Sequence, residues 1–89
     1  MNTKAEQLLD QISQAQTIGE LILASSGLAQ NGIIYAFATS ETLVINCLNL
    51  STVWRVDDGH WKLRQAIAQL GLPITKICVE HEGKALYHL

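Results

Sequence analysis

Two neighbouring segments of branched and aromatic residues place the strongest constraint on what this 89-residue chain can fold into. They span residues 33–39 and 42–50, and the polar pair Ser40 and Glu41 separates them, which predicts a β-hairpin. Both segments are apolar at odd and even positions alike, whereas a strand with one solvated face alternates. We therefore expect both faces of these strands to be covered, one of them by a partner chain.

The composition supports the same expectation. Charged residues make up 16% of the chain, against roughly 25% in ordinary soluble domains, and 48% of the residues are hydrophobic. The length predicts a single domain over residues 1–89. Because a domain this small buries little more than ~60% of its unfolded surface, apolar surface is left over. The sequence thus predicts a homodimer or a higher oligomer.

Two capping boxes predict two helices at the N-terminus. Thr3 with Glu6 marks the start of the first helix, which we expect to end near Gln16, and Thr17 with Glu20 marks the start of a second. The second helix should end at Ser26, because Gly27 can adopt the left-handed conformation that stops a helix. The apolar positions of the first helix form one stripe that we expect to pack on the core: Ala5, Leu8, Leu9, Ile12 and Ala15.

A third helix follows the hairpin. Residues 51–56 either extend the second strand or form another strand, and Asp57 or Asp58 then caps a helix over residues 59–70. The helix should end in a Schellman motif, followed by a proline that cannot continue it. The residues of that ending are Gly71, Leu72 and Pro73.

The C-terminal part of the chain predicts a second hairpin. Segments 74–81 and 84–89 flank Glu82 and Gly83, a pair typical of tight turns. The predicted order is therefore α-α-β-β-(β)-α-β-β. We expect an α+β fold in which an antiparallel sheet of four or five strands packs against two N-terminal helices and one central helix.

Residues 54–64 are the candidate binding segment, because they contain both tryptophans and three of the six basic residues. On the predicted helix, Trp61 points away from the stripe that carries Leu63 and Ile67. An exposed tryptophan beside arginine is typical of a binding hot spot. The alternative is that Trp61 packs on Val56 as a hydrophobic staple. The candidate surface residues are Trp54, Arg55, His60, Trp61 and Arg64.

The cysteines and histidines predict neither a metal site nor a cofactor. Cys47 and Cys78 each lie in an apolar segment without a neighbouring ligand, so we expect buried, reduced thiols. In the predicted C-terminal hairpin, His88 pairs with Ile77 and lies about 13 Å from His81, too far to share a metal ion. No nucleophile, base and orienting group can be named together, so we predict no catalytic residues.

Three functions are compatible with these features. The first is a small cytoplasmic homo-oligomeric binding or adaptor protein, since neither a signal peptide nor a membrane span is recognisable. The alternative is a nucleic-acid-associated regulator, such as a toxin or antitoxin component, that acts through residues 54–64; the net charge of -2 argues against it. The third is a small enzyme or ligand carrier with a pocket between subunits.

Overall fold

The computed structural model describes residues 3–28 and 31–89, which form an α+β fold of three helices and four strands. In chain order these are α1 (Thr3–Ser26), β1 (Ile33–Ala38), β2 (Thr42–Cys47), α2 (Leu50–Asp58), α3 (His60–Gln69), β3 (Lys76–His81) and β4 (Lys84–His88). The prediction of an α+β class is confirmed. The element order differs from the prediction in two places. One helix instead of two precedes β1, and a helix follows β2 where a strand was expected.

The sheet is mixed and has the strand order β1-β2-β3-β4. Both predicted hairpins are present, β1 with β2 and β3 with β4, but the central pair of β2 and β3 is parallel. The expectation of a wholly antiparallel sheet is therefore wrong. The physical reason is the helical connection between β2 and β3, which carries the chain back to the end where β2 began.

One face of the sheet carries the core. Leu43 and Ile45 of β2 are paired with Ile77 and Val79 of β3, and none of the four is exposed to solvent. All three helices contribute buried side chains to this core. They include Ile22 and Leu23 of α1, Val53 and Val56 of α2, and Leu63, Ala66 and Ile67 of α3. We call the opposite side the open face; it carries Tyr35, Phe37, Val44, Cys78 and Glu80.

The N-terminal segment is one continuous helix of 24 residues, not two helices. Thr17 does not cap a new helix, because its hydroxyl donates a hydrogen bond to the Ser13 carbonyl oxygen 2.9 Å away, one turn back. The Thr3 side chain, which the first capping box requires, lies outside the described part of the chain. Gly27 does end the helix as predicted, with φ 77° and a hydrogen bond from the Leu28 amide to the Leu23 carbonyl.

The apolar stripe of the predicted first helix does not pack on the core of its own chain. Leu8 is 58% exposed, Leu9 65% and Ile12 48%. The helix is about 36 Å long at 1.5 Å per residue, whereas the six residues of β1 cover about 20 Å. β1 is therefore too short to cover the whole apolar side of α1. Within the described ranges, no helix combines the length and apolar character needed to cross a bilayer.

Residues 51–56 form a helix, so the prediction of a strand there is wrong. α2 begins after Asn49, whose side-chain oxygen accepts a hydrogen bond from the Thr52 amide at 2.9 Å. The buried Thr52 hydroxyl donates to the same oxygen. This N-cap diverts the chain into a helix despite the apolar, strand-like composition of the segment.

Neither Asp57 nor Asp58 caps α3, which corrects another prediction. Both lie inside α2, and α3 starts after Gly59, which supplies no side-chain cap. A β-carbon at Gly59 would lie only 2.9 Å from a methyl carbon of Leu28, so the missing side chain makes room for that residue. The bend between the two helices therefore depends on packing against Leu28.

The predicted end of the third helix and the predicted turn of the C-terminal hairpin are both confirmed. Gly71 has φ 69°, and the Leu72 amide donates to the Ile67 carbonyl as a Schellman motif requires. Glu82 and Gly83 both have positive φ and form the tight turn of the β3–β4 hairpin.

The register of that hairpin differs from the prediction. An irregularity between Val79 and Glu80 pairs His88 with Cys78 instead of Ile77. His88 therefore lies at an open-face position, whereas His81 shares the alternate positions of β3 with the core residues Ile77 and Val79.

Gly19 lies where α1 contacts the backbone of β1, and we use this contact to predict the effect of Gly19→Ala. A β-carbon there would lie 2.5 Å from the carbonyl oxygen of Ala36, a backbone atom that cannot move aside. Alanine in a helix normally gains about 1 kcal/mol over glycine, but overpacking costs about 1–3 kcal/mol. We expect the clash to prevail and the free energy of unfolding in urea to fall. Ser13→Ala, at an exposed position of α1, is the control and should change it by less than about 0.5 kcal/mol. A more stable Gly19→Ala variant would contradict this packing.

Candidate binding surface

Both tryptophans lie on the outward side of α2 and α3. Val53 and Val56 of α2 and Leu63 of α3 are buried, so each helix turns one side toward the core. Trp54 is 70% exposed and Trp61 is 59% exposed. Both rings therefore lie on helix sides that face away from the core, as the sequence predicted for Trp61.

Two carboxylates lie between the rings in sequence. Asp57 and Asp58 are exposed and follow Trp54 in α2 by three and four positions, the spacing at which side chains of one helix are neighbours. Within residues 3–28 and 31–89, no hydrogen bond or ion pair to either carboxylate is present. We define the tryptophan surface as Trp54, Asp57, Asp58 and Trp61.

Arg55 and Arg64, the two arginines of the predicted surface, form hydrogen bonds with other parts of the same chain. Arg55 donates to the carbonyl oxygen of Asn31 and to the hydroxyl of Thr52, each at 3.1 Å. Arg64 donates to the carbonyl oxygen of Thr75 at 2.7 Å and to that of Leu89. These hydrogen bonds tie the helices to the rest of the fold and occupy part of the donor capacity of both guanidinium groups.

The remaining predicted residue, His60, lies at the bend. Its Nδ1 is 2.7 Å from the carbonyl oxygen of Asp57, and its side chain is half-buried. The staple between Trp61 and Val56 would need a helix that starts at Asp57. Because Asp57 lies within α2, that geometry is not formed at these residues.

Lys62 shows how the tryptophan surface interacts with a cation. Its ammonium nitrogen lies 5.6 Å from the centre of the Trp61 ring, within the range of a cation–π contact. Trp61, Lys62 and Asp58 also line a shallow concavity of about 310 Å³ together with Leu28 and Arg55. The surface therefore combines aromatic rings and a concavity with charged side chains of both signs.

A second candidate surface, which sequence reasoning missed, lies between α1 and the open face. It is a groove of about 420 Å³, which we call the α1–β1 groove. No charged side chain of the described residues lines it. Its lining consists of Leu8, Gln11, Ile12, Ala15, Gln16, Tyr35, Phe37 and Thr39. The uninterrupted helical spacing of apolar residues from Ala5 to Ile22 was the signal that a single long helix would form there.

The sheet wall of the groove is held in place by aromatic and hydrogen-bond contacts. The rings of Tyr35 and Phe37 stack with their centres 5.6 Å apart. The Tyr35 hydroxyl donates to Oε1 of Glu80 at 2.6 Å. This hydrogen bond, with burial and the Glu80 charge, raises the pKa of Tyr35 above its ordinary value. The neutral phenol therefore keeps its position on the open face throughout the physiological range.

No family model, curated protein or solved structure matches this chain. The tryptophan surface and the α1–β1 groove are therefore the two features of the molecule that indicate its function.

Truncation of the tryptophans should affect stability much less than truncation of the core. We expect Trp54→Ala and Trp61→Ala to lower the free energy of unfolding by less than about 1 kcal/mol, because both rings are mostly exposed. Leu63→Ala removes a fully buried side chain and should cost about 2–5 kcal/mol. Urea unfolding measures the free energy of unfolding of all three variants. Low protein concentration is used because self-association then contributes little to the measured stability. If Trp54→Ala lowered the free energy of unfolding as much as Leu63→Ala, the Trp54 ring would have to be part of the core, which would contradict its exposed position.

The two thiols should react slowly. Cys47 and Cys78 are both free and buried, and burial raises the pKa of each thiol, more strongly than the Arg55 charge lowers that of Cys47. The reactive thiolate is therefore scarce near neutral pH. We expect a disulfide reagent at pH 8 to label the native protein far more slowly than the urea-unfolded protein. Rapid labelling of both cysteines in the native state would contradict this.

Proposed function

We propose that the chain is a small cytoplasmic homo-oligomeric binding protein, an adaptor that holds a basic segment of a partner protein on its tryptophan surface. The observation that carries the proposal is the exposure of Trp54 and Trp61 on one side of α2 and α3. Large aromatic side chains are enriched at the energetic centres of protein interfaces. Leaving two of them in water in so small a domain is costly unless a partner covers them.

The charge of the surface indicates the partner's chemistry. Asp57 and Asp58 carry the negative charge between the rings, and Arg55 is engaged with Asn31 and Thr52. An indole ring attracts ammonium and guanidinium groups, as the contact of Lys62 with Trp61 illustrates. A segment that carries lysine or arginine next to apolar residues would meet both the rings and the carboxylates with complementary charge.

The same charges favour a protein partner over nucleic acid. Phosphate binding requires cations that face outward. Arg64 instead donates to the carbonyl oxygens of Thr75 and Leu89. Beside the two rings, the exposed cations Arg55 and Lys62 alternate with the exposed carboxylates of Asp57 and Asp58, so the segment does not form a continuous basic patch for phosphates.

Self-association is the second part of the proposal, and the exposed aliphatic residues of α1 support it. Leu8, Leu9 and Ile12 leave an apolar surface uncovered in the single chain. A homodimer would present two tryptophan surfaces and so bind a partner with two basic segments more tightly than a monomer could.

The partner chemistry is tested by titration with peptides of matched length. The probe is an amphipathic peptide of leucine and arginine, and the control peptide has glutamate in place of arginine. We expect the arginine peptide to change the tryptophan fluorescence and to bind in a salt-dependent way. Trp54→Ala and the double variant Asp57→Asn/Asp58→Asn should each weaken binding about tenfold or more, equivalent to about 1.4 kcal/mol.

Leu48→Ala is the matched control variant, because Leu48 is an exposed apolar residue outside the tryptophan surface. Its affinity for the arginine peptide should equal that of the wild type. Equal binding of the glutamate peptide, or no binding of either peptide, would contradict the proposed partner. Preferential binding of a single-stranded oligonucleotide would favour the nucleic-acid alternative.

A further inference from the structure

The sheet covers the apolar side of the N-terminal half of α1 only in part. We call residues 4–16 the overhang. Gly19 anchors the helix against the backbone of Ala36, and Ile22 lies in the core. Toward the N-terminus, Leu8 and Ile12 instead line the α1–β1 groove and remain about half exposed.

The uncovered side of the overhang faces in the same direction as the core-facing side of α1. At about 100° per residue, Leu8 and Ile12 fall in the same arc as Gly19 and Ile22, roughly 80° wide. On the same geometry, the carboxylate of Asp10 falls on the opposite side, roughly 160° from the middle of the arc. The helix therefore continues its buried side into a region where its own sheet covers it only in part.

We propose that the overhang of each copy packs into the α1–β1 groove of a second copy, so that a two-fold axis relates the two helices. In this arrangement Leu8, Leu9 and Ile12 of one chain contact Tyr35 and Phe37 of the other, and the contacts are repeated by symmetry. The inference rests on the proposed self-association, and it specifies which surface carries it.

Charge favours a second copy as the occupant. A two-fold contact brings a patch against its own copy, so a patch with net charge of one sign repels itself and a neutral patch does not. The lining of the α1–β1 groove contains no charged side chain among the described residues. Apolar residues of a second copy can therefore enter the groove without burying a charge against it.

The exposed area is also of the size that a dimer needs. The accessible surface of the chain is 5676 Å², whereas a monomer of 9.8 kDa is expected to expose about 5,200 Å². Burial of the excess, about 500 Å² in each copy, would give an interface of about 1,000 Å², at the lower limit of specific interfaces.

A matched pair of leucine variants tests the interface. Leu8 and Leu21 lie on the same helix and are 58% and 49% exposed, but Leu8 lines the groove and Leu21 lies on the outward side. We expect Leu8→Glu to raise the dimer dissociation constant at least about tenfold, since two carboxylates would be buried without partners. Leu21→Glu should leave it unchanged. Sedimentation velocity over a concentration series measures the constant, and circular dichroism of each variant confirms that it is folded.

The outcomes separate the interface from the self-association. A wild type that stays monomeric at all concentrations overturns both proposals. A wild-type dimer that Leu8→Glu leaves intact, or that both variants weaken equally, overturns the interface and leaves the self-association standing.

A photo-crosslink provides a second readout of the same interface. The photo-reactive residue p-benzoylphenylalanine is placed at position 9, and equimolar ¹⁴N- and ¹⁵N-labelled chains are mixed before irradiation. We expect crosslinked peptides of mixed isotope composition that join the overhang to β1 of the other copy. Mixed crosslinks that lead only to α2 or α3 would overturn the proposed geometry.

Discussion

Leu43 and Ile45 are paired with Ile77 and Val79 across the parallel strands β2 and β3, and these four side chains form the centre of the core. A parallel pair requires a long connection that returns the chain to the starting end of the sheet. Here the connection contains α2 and α3, which bury Val53, Val56 and Leu63 on the core face. The outward side of the same helices then necessarily carries the residues between the buried ones, including both tryptophans. The position of the tryptophan surface thus follows from the parallel pair.

The length of α1 relative to β1 has an equally large effect on the surface of the molecule. Gly19 allows the helix to contact the backbone of the edge strand, and this contact sets which half of α1 the sheet supports. The other half retains a core-like apolar side without a core beneath it. One chain therefore presents two surfaces of different chemistry, a neutral apolar groove on the side of β1 and an aromatic surface with exposed charges on α2 and α3. This difference is the basis for proposing separate surfaces for self-assembly and for partner binding.

Local signals in the sequence were reliable wherever backbone geometry alone decides the outcome. Gly27, Gly71 and Gly83 adopt positive φ, which glycine reaches at little cost, and each ends a helix or forms a turn as predicted. Predictions failed where a side chain had a choice of hydrogen-bond partners, or where capping and packing opposed the local composition. Thr17 could cap a helix or bond back to Ser13, and the structure has the second because the helix continues. Residues 51–56 have the composition of a strand, but the cap formed by Asn49 and the packing of Val53 and Val56 make them a helix.

The sequence by itself determined the fold class, the two hairpins, the ends of the helices at glycine and the outward position of Trp61, because periodicity and turn chemistry are local properties. Only the tertiary structure decided the parallel pairing of β2 with β3, the engagement of Arg55 and Arg64 by backbone carbonyl groups, and the uncovered state of Leu8 and Ile12. These features depend on residues far apart in the chain. An apolar stripe specifies that a helix side avoids water, whereas the relative length of the neighbouring strand decides whether its own chain can cover it.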